Sequence, residues 1–281
     1  NTSMGDFVHL HVHTQYSLLD GVNRSDKLLT KVKDSGMDAV TISDHGVMYG
    51  IPEFWSAAKK MGVKSIIGCE IYMAPGDHKV RQEINGLKYY HLLLIAQNLT
   101  GYKNLNKLVT IAHTEGMYYR PRVDINTIRK YSEGLICTSA CLAGPLAAHI
   151  LRGEEAQAEK WLQELAAVFP GRFYLEVQRN GLCAHDEIDE PTLIGLSKRE
   201  EGSQRKMLRE QQIVNGKLKE WGQKYNLPLV ATTDAHYLNK EDKNTQEVLF
   251  AIKDGLTLTD NERRYGYLET YIKTPEEMAG I

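Results

Sequence analysis

Histidines near the start of the chain are the first residues whose types and spacing could do chemistry. In the segment FVHLHVHTQYSLLDG, residues 7–21, His9, His11 and His13 alternate with apolar residues. This alternation predicts a β-strand whose imidazoles share one face. Asp20 follows in a glycine-bounded loop that can fold over the strand end. The last two histidines and Asp20 therefore predict a divalent-cation site, whereas His9 lies deeper along the strand and is not assigned as a ligand.

Further potential ligands lie at the ends of other apolar runs. They share a position at or just past the carboxyl end of a predicted strand: His45, Glu70, Cys141, Asp234 and His236. His91 differs, because it lies near the start of its apolar run. With His11, His13 and Asp20 the set has nine members, which is too many for one ion. It suits a cluster of two or three ions, with Glu70 or Cys141 placed to bridge them.

The donor types indicate the chemistry of this predicted cluster. Mixed nitrogen, oxygen and sulfur ligands fit zinc, manganese or iron better than magnesium alone. Three carboxylates and one thiolate contribute −4 and three divalent ions +6, so the site would attract phosphate. Such ions activate water and stabilise the attacking and leaving oxygens of a phosphoester. We therefore predict metal-assisted phosphoester hydrolysis, and the residues expected to be catalytic are His11, His13, Asp234 and His236.

The elements that must position these residues alternate between short strands and helices. Strands are predicted at 8–12, 39–43, 64–72, 90–96, 135–139, 173–178 and 229–233. Helices are predicted at 25–35, 51–61, 98–115 and 154–169, and a loop or irregular hairpin at 75–88. Strands that are each followed by a helix or long loop predict right-handed βα units, a parallel sheet and a closed or partly closed (β/α) barrel. Such barrels assemble their active sites at the carboxyl ends of the strands.

Composition limits the class of protein. The chain has 281 residues, of which 42% are hydrophobic and 25% charged, and this suits one large α/β domain. A net charge of −2 and a pI near 6.6 argue against tight nucleic-acid binding by bulk charge. The sequence shows neither a long apolar run nor a signal peptide, so we expect a cytoplasmic protein without membrane contact. Its four cysteines form no C-x-x-C pair and are expected to be reduced.

Two arginines and two carboxylates have secondary roles in this interpretation. Arg120 and Arg122 lie in a predicted loop beside two tyrosines and could hold a DNA backbone; the alternative is a surface loop held by Pro121. Asp44 and Glu176 are expected to support the metal ligands, although Glu176 could equally be catalytic. Four histidines are interpreted as surface residues: His78, His113, His149 and His185.

Several separated motifs resemble those of one known family. HLHVH, SDHG, GCEIY, HLLLIA, SACLAG and TTDAHYL are similar to the motifs of the polymerase and histidinol phosphatase (PHP) domain. YSLLDG, YYRPRVD, FYLEVQRNG and YIKTPEEM resemble the form found in bacterial replicative DNA polymerase III alpha subunits, which are C-family polymerases. The resemblance covers essentially the whole chain.

The resemblance implies a distorted (β/α)7 barrel with a trinuclear metal centre. Its ligand motifs fall on the nine residues named above, and Cys141 stands where stand-alone PHP phosphoesterases typically have histidine. We expect one PHP domain over residues 1–281. Residues 1–5 are expected to be a cloning remnant or a disordered end, and residues 185–204 a possible insertion loop.

Three functions remain open at this point. The first is a 3′–5′ proofreading exonuclease that acts on the 3′ terminus of DNA beside the rest of a polymerase alpha subunit. The second is a small-molecule phosphomonoesterase of the histidinol-phosphatase type. The third is an inert structural module that docks the polymerase or a separate exonuclease subunit. The complete ligand set favours an enzyme, and the polymerase-like motifs favour the exonuclease.

Overall fold

A mixed α/β architecture is seen in the computed structural model, which describes residues 7–180, 197–260, 262–267 and 269–280. The strands in this part of the chain are β1 (Ala39–Ile42), β2 (Lys64–Met73), β3 (Tyr90–Ala96), β4 (Met117–Tyr118), β5 (Arg120–Val123), β6 (Leu135–Thr138), β7 (Phe173–Gln178) and β8 (Leu229–Thr232). The α-helices are α1 (Ser25–Asp34), α2 (Ile51–Met61), α3 (Leu99–Glu115), α4 (Ile125–Lys130), α5 (Pro145–Leu151), α6 (Glu155–Val168), α7 (Lys198–Tyr225), α8 (Lys243–Asp254) and α9 (Pro275–Ala279).

All of these strands belong to one curled sheet. Its order is β4-β5-β2-β3-β6-β7-β8, and β1 pairs with the first half of β2. Parallel pairs are β1 with β2, β2 with β5, β6 with β7 and β7 with β8. β3 runs antiparallel to both of its neighbours, β2 and β6. The prediction of an all-parallel sheet is therefore wrong, because residues 75–88 return the chain without a crossover helix.

The segment that carries the first histidines lies between the two edges of the curled sheet. Residues 7–14 are extended but form only isolated bridges, such as that from Val12 to Ala235, rather than the predicted strand. On one side the amide of Ser43 donates to the Val12 carbonyl at 2.8 Å. On the other side the amide of Ala235 donates to the His11 carbonyl at 3.0 Å. The segment thus connects β1 to the residues that follow β8.

Alternation along β3 separates the core from the inner face of the sheet. Leu92 and Leu94 pack in a large hydrophobic cluster with residues of α3, α5, α6 and α7. Leu93 and Ile95 belong to a separate small cluster. His91 shares the face of Leu93 and Ile95, because alternate residues of a strand point to the same side. β3 therefore directs a histidine to the inner face while its other face anchors the helices.

A second hydrophobic cluster holds the histidine segment in place. Leu28 and Leu29 of α1 and Phe54 of α2 are fully buried there, together with Val12. Val12 is flanked in the chain by His11 and His13, whose side chains point to the opposite side. Burial of Val12 against these helices therefore fixes the direction of the histidines.

Three further expectations about local structure are resolved here. The arginine motif is not a loop, because β5 pairs in parallel with β2 at Tyr72 and Arg122. The possible insertion at 185–204 is helical from Lys198 onward, whereas residues 185–196 lie outside the described residues, as do residues 1–5. Among the helices that the structure describes, none combines the length and apolar character needed to cross a membrane.

Candidate metal centre

All nine predicted ligands meet at one end of the curled sheet, and we call them the metal-ligand cluster. Each member approaches at least one other member within 4 Å. β3 runs opposite to its neighbours, and His91 at its start therefore lies at the same end as residues that follow the parallel strands. His45 forms an isolated bridge with Glu70, which brings these two ligands side by side.

Glu70 lies at the centre of the cluster and is fully buried. Its Oε1 is 3.3 Å from His11 Nε2, 3.0 Å from His91 Nδ1 and 3.6 Å from Cys141 Sγ. Its Oε2 is 2.8 Å from His45 Nδ1 and 3.2 Å from a nitrogen of His13. Contact with five other ligands suits a carboxylate that bridges metal ions.

Asp234 makes a second set of contacts at the same end. Its Oδ1 is 3.2 Å from His11 Nε2, 3.0 Å from His13 Nε2 and 3.8 Å from His236 Nδ1. The backbone of Asp234 has φ 50°, a left-handed conformation that non-glycine residues seldom adopt. Such strain is found where the surrounding structure needs a side chain in one particular direction.

Asp20 contacts the outer histidines of the cluster. Its Oδ2 is 3.1 Å from His45 Nε2, and its Oδ1 is 3.8 Å from His236 Nε2. The side chains of these three residues retain some exposure. They therefore form the accessible rim of the cluster.

Hydrogen bonds on the far side of three rings direct their lone pairs into the cluster. His11 Nδ1 donates to Glu176 Oε1 at 2.7 Å. His13 Nδ1 is 2.9 Å from Ser17 Oγ, whose own proton goes to Asp44, so this nitrogen must donate. In each ring the Nε2 atom is then an acceptor that faces the cluster. Outer partners of this kind fix the ring orientation of histidines that bind metals.

His236 follows the same rule with a backbone partner. Its Nδ1 donates to the carbonyl oxygen of Asp234 at 2.6 Å. Its Nε2 is therefore left with a lone pair on the cluster side, 3.8 Å from Asp20 Oδ1.

The donor atoms of the cluster fit bound cations. Five of its buried atoms have no hydrogen-bond partner among the described residues: His11 Nε2, His13 Nε2, His45 Nδ1, Glu70 Oε2 and Asp234 Oδ1. Buried polar atoms without partners are costly, and protons or cations placed between these atoms would remove that cost. Three overlapping groups each have ligand atoms within 4.8 Å of one another: His13 with His45 and His236; His11 with His13, Glu70 and Asp234; and His45 with Glu70 and His91. Such an arrangement has places for divalent metal ions.

Charge in the cluster leads to the same conclusion. Burial alone would raise the pKa of Glu70 and Asp234, but neighbouring histidines hold both values below the ordinary range. Burial lowers the pKa of His45, but Glu70 and Asp20 outweigh it and raise the value to about 10. Burial and then Glu70 raise the pKa of the Cys141 thiol well above its usual value. A thiolate at Cys141 therefore requires added positive charge, which a coordinated metal supplies.

The two predicted supporting carboxylates lie behind the ligands. Asp44 accepts from the Thr14 amide at 2.6 Å and from Ser17 Oγ at 2.7 Å. Glu176 accepts from His11 and from Gln178 Nε2 at 2.8 Å. Neither residue is in the three groups of potential ligand atoms.

The two arginines of the predicted DNA-binding pair have different environments. Arg122 is 1% exposed, and its guanidinium donates to four backbone carbonyls of the described residues. At this exposure Arg122 offers no surface to a substrate, so its position does not support the predicted DNA contact. Arg120 is half-buried, and its guanidinium lies 5.8 Å from the centre of the Tyr72 ring.

The surface interpretation of the remaining histidines is wrong for two of them. His78 and His149 are buried, and their Nδ1 atoms contact Asp124 at 2.6 Å and Glu154 at 2.5 Å. His113 is half-buried and donates from Nε2 to the carbonyl of Gly46. His185 lies outside the described residues.

An entrance cavity of about 410 Å³ opens beside the cluster, and sequence reasoning missed most of its lining. It touches Asp20, His45 and His91, and Arg120 also lines it. Lys253 in the last turn of α8 is a cation that the sequence pattern did not single out. Aromatic residues of this cavity are Tyr16, Tyr49, Tyr72 and Tyr89.

A second cleft, of about 280 Å³, reaches the cluster from another side. Beside six of the cluster ligands, it is lined by the amides of Gln178, Asn180, Gln211 and Gln246. Lone histidines and carboxylates signal metal binding in a sequence, but scattered amides carry no comparable pattern. This cleft could be found only from the fold.

Comparison with known proteins identifies the family. The sequence profile of the PHP domain matches residues 9–180. DNA polymerase III subunit alpha of Borreliella burgdorferi is 39% identical over 98% of this chain and 22% of its own length. The corresponding subunit of Thermus aquaticus is 41% identical over 98% of this chain and 21% of its own length. The chain thus spans about a fifth of the length of these curated relatives.

A solved structure gives a more distant likeness. It is described as a two-domain protein containing a predicted PHP-like metal-dependent phosphoesterase from Bacteroides vulgatus, and it is 14% identical. The alignment covers 96% of this chain and 61% of that one, with a TM-score of 0.43. Because the family profile matches more than half of the sequence, the chain belongs to the PHP domain family.

Proposed function

We propose that this chain is a metal-dependent phosphodiesterase, a 3′–5′ exonuclease that works within a DNA polymerase III alpha subunit. The observation that carries the proposal is the set of five buried atoms without hydrogen-bond partners inside the metal-ligand cluster. We assign the cluster three divalent ions of zinc, manganese or iron, and the fold a distorted (β/α)7 barrel closed through residues 7–14. Hydrogen bonds from both sides of that segment support this closure.

Each part of the cluster has a distinct task in this proposal. When bound, the metal ions supply Lewis acidity that activates water and neutralises charge on the phosphate oxygens. Glu70 contacts five other ligands and Asp234 three, and these two carboxylates would hold neighbouring ions together. His11 and His13 keep their lone pairs inward through their outer hydrogen bonds.

Substrate would enter from the exposed rim. Asp20 and His236 lie at this rim, and the entrance cavity begins there. Arg120 lines the cavity, which suits a guanidinium that orients a phosphate. With a net charge of −2, local positive charge from Arg120 and bound metal ions, rather than bulk charge, must attract DNA.

The similarity to polymerase subunits favours DNA as the substrate over a small ester. Its relatives are named DNA polymerase III subunit alpha, and an exonuclease beside a polymerase would act on the primer 3′ terminus. The partners in this proposal are therefore DNA and the remainder of the alpha subunit. A separate exonuclease subunit would be the partner if this domain served only as a docking module.

The test compares three classes of substrate in the presence of manganese or zinc. End-labelled single-stranded DNA and primer-templates with a mismatched 3′ end are incubated beside histidinol phosphate and an aryl phosphate. We expect stepwise loss of nucleotides from the 3′ end, fastest at mismatched ends, because unpairing costs a few kcal/mol. Phosphate release from small esters alone would identify a phosphomonoesterase. Three bound metals without any turnover would identify a structural module.

Variants connect the activity to the cluster. His11→Ala, Asp234→Ala and His236→Ala should each abolish DNA degradation while the far-ultraviolet circular dichroism stays close to wild type. The matched control is Asp26→Ala, which removes an exposed carboxylate of α1 that pairs with Arg24 and not with a cluster ligand. Degradation that persists in the cluster variants would refute the assignment of this site.

A further inference from the structure

The entrance cavity contains two cations that come from distant parts of the sequence. Arg120 begins β5, and Lys253 lies in the last turn of α8. Both are half-buried, and both line the cavity that Asp20, His45 and His91 share with the metal-ligand cluster. An anion between these cations would therefore lie next to the cluster without being part of it.

Neither cation has a neutralising partner in the part of the chain that the structure describes. Among the described residues, no hydrogen bond or ion pair reaches the guanidinium of Arg120 or the ammonium of Lys253. Lys243 and Lys273, by contrast, are buried and paired with glutamates at 2.6 Å and 3.2 Å. Half-buried cations normally find a partner, so two unpaired cations facing one cavity indicate an anionic ligand.

The electrostatic surroundings of Lys253 agree with this placement. Burial lowers its pKa, Asp20 opposes the shift, and Arg264 and Arg120 add to it. Lys253 therefore lies close enough to Arg120 for mutual repulsion and close enough to Asp20 to be adjacent to the cluster. A bound phosphate would relieve the repulsion.

Building on the proposed function, we infer that Arg120 and Lys253 form a binding site for a second phosphate of a nucleic-acid strand. This phosphate neighbours the one that the metal-ligand cluster holds for hydrolysis. A strand carries a phosphate at every link, whereas a simple phosphoester carries only one. The tyrosines of the cavity are suited to stack the intervening bases, since base stacking on aromatic rings tolerates any sequence.

This site makes the chain selective for polynucleotides rather than for single phosphoesters. Lys253 lies outside residues 9–180, the part matched by the profile of the PHP domain. The second-phosphate site is thus assembled from the matched region and from α8, which follows it.

The experiment compares two phosphodiesters with the 281-residue chain in manganese. Bis(4-nitrophenyl) phosphate has a single diester and no second phosphate, and single-stranded oligothymidylate has many. We expect Lys253→Met to lower kcat/KM for oligothymidylate by about ten- to hundredfold more than for the aryl diester, as befits a lost charge-assisted bond. The slope of log kcat/KM against log salt should become shallower by about 0.7 for oligothymidylate.

Two further variants separate binding from folding. Lys253→Arg keeps the charge and should restore most of the lost selectivity. Lys60→Met removes an exposed lysine from the last turn of α2, far from the cavity, and should leave the ratio and the salt slope as in wild type. Unfolding curves of all variants report any loss of stability.

One outcome would refute the second-phosphate site, and a different outcome would refute the proposed function. Equal losses on both substrates with an unchanged salt slope would show that Lys253 only supports the fold, and the second-phosphate site would be wrong. If the wild type hydrolyses neither substrate, the proposed function fails. Fluorescence anisotropy of labelled oligothymidylate then decides the cation pair, because equal affinity and equal salt dependence for wild type and Lys253→Met would refute it.

Discussion

Replacing Arg122 should destabilise the protein strongly, although the sequence pattern predicts a loop at this residue. Its Nε donates to the Gly116 carbonyl at 3.2 Å, and its Nη1 to the Lys88 carbonyl at 3.0 Å. Its Nη2 donates to the His78 and Val80 carbonyls at 3.1 Å and 3.0 Å. One guanidinium thus ties the irregular segment 75–88 to Gly116, which ends α3.

The expected magnitude follows from these four bonds. An intramolecular hydrogen bond contributes about 1 kcal/mol net, and bonds to charged groups contribute about 1.5–3 kcal/mol. Taking the lower figure, because one desolvated guanidinium serves all four acceptors, Arg122→Met should lower the free energy of unfolding by about 4 kcal/mol. That is a large part of the roughly 5–15 kcal/mol that stabilises a typical domain. Arg122→Lys should recover little of it, since an ammonium cannot reproduce the planar fork.

Urea unfolding followed by circular dichroism measures this loss. The control is Arg120→Met in the same strand, whose side chain has no hydrogen bond to another described residue, and it should change stability by about 0.5 kcal/mol or less. Both variants are measured with metal and with chelator, so that metal occupancy does not obscure the comparison. A loss below about 1 kcal/mol for Arg122→Met would show that the four carbonyls find other donors, and the reasoning would be refuted.

Three other predictions test the metal-ligand cluster. Glu176→Gln should weaken metal binding by about 10–100-fold in a calorimetric titration, because it disturbs the partner of His11; unchanged affinity would contradict this role. Cys141 should resist alkylation when metal is bound and react after chelation, and equal labelling rates by mass spectrometry would exclude it as a ligand. Burial lowers the pKa of His45, but nearby carboxylates outweigh this effect and raise the pKa to about 10. Protonation of His45 therefore stabilises the chelated protein fully below about pH 6.5, and this stabilisation fades as the pH approaches 10. Metal binding strengthens as protons leave the ligands, so the Tm difference between loaded and chelated protein should widen from pH 6.5 to 9, and a narrowing difference would contradict the assignment.

Local elements of the fold could be predicted from the sequence where periodicity and chain breakers agree. The ranges predicted for α2, β3 and β7 coincide with those in the structure. α2 is bounded by Pro52 near its start and by Gly62, which has φ 70° at its end. Boundaries of this kind depend on backbone conformation at single residues, and a sequence displays those residues directly.

Contacts between distant segments could not be predicted in the same way. The burial of Arg122 depends on carbonyl groups of residues 78–88, and the burial of His78 depends on Asp124. Each pairing joins segments whose approach is decided by β5 joining the edge of β2. Arginine and histidine side chains are amphipathic, so their residue type alone does not distinguish a surface position from a buried one.

Among the candidate site residues, too, some could be predicted from local sequence and others only from contacts between distant segments. Histidine, cysteine and carboxylate ligands stand out because they recur at the ends of apolar runs, and the structure brings all nine together. Lys253 does not stand out, because a lysine in the last turn of a helix is common for reasons of helix electrostatics alone. Only the proximity of α8 to β5 at one cavity gives Lys253 a role beyond its helix.

The position of His91 contains more information than its residue type. Ligands that converge at one end of a sheet must follow parallel strands or precede antiparallel ones, because strand direction decides which end of a strand faces the site. His91 precedes its apolar run, and residues 75–88 contain no helix that could serve as a crossover. Together these two features require that β3 runs opposite to β2, as it does. A functional pattern can therefore determine the direction of a strand that hydrophobic periodicity leaves undetermined.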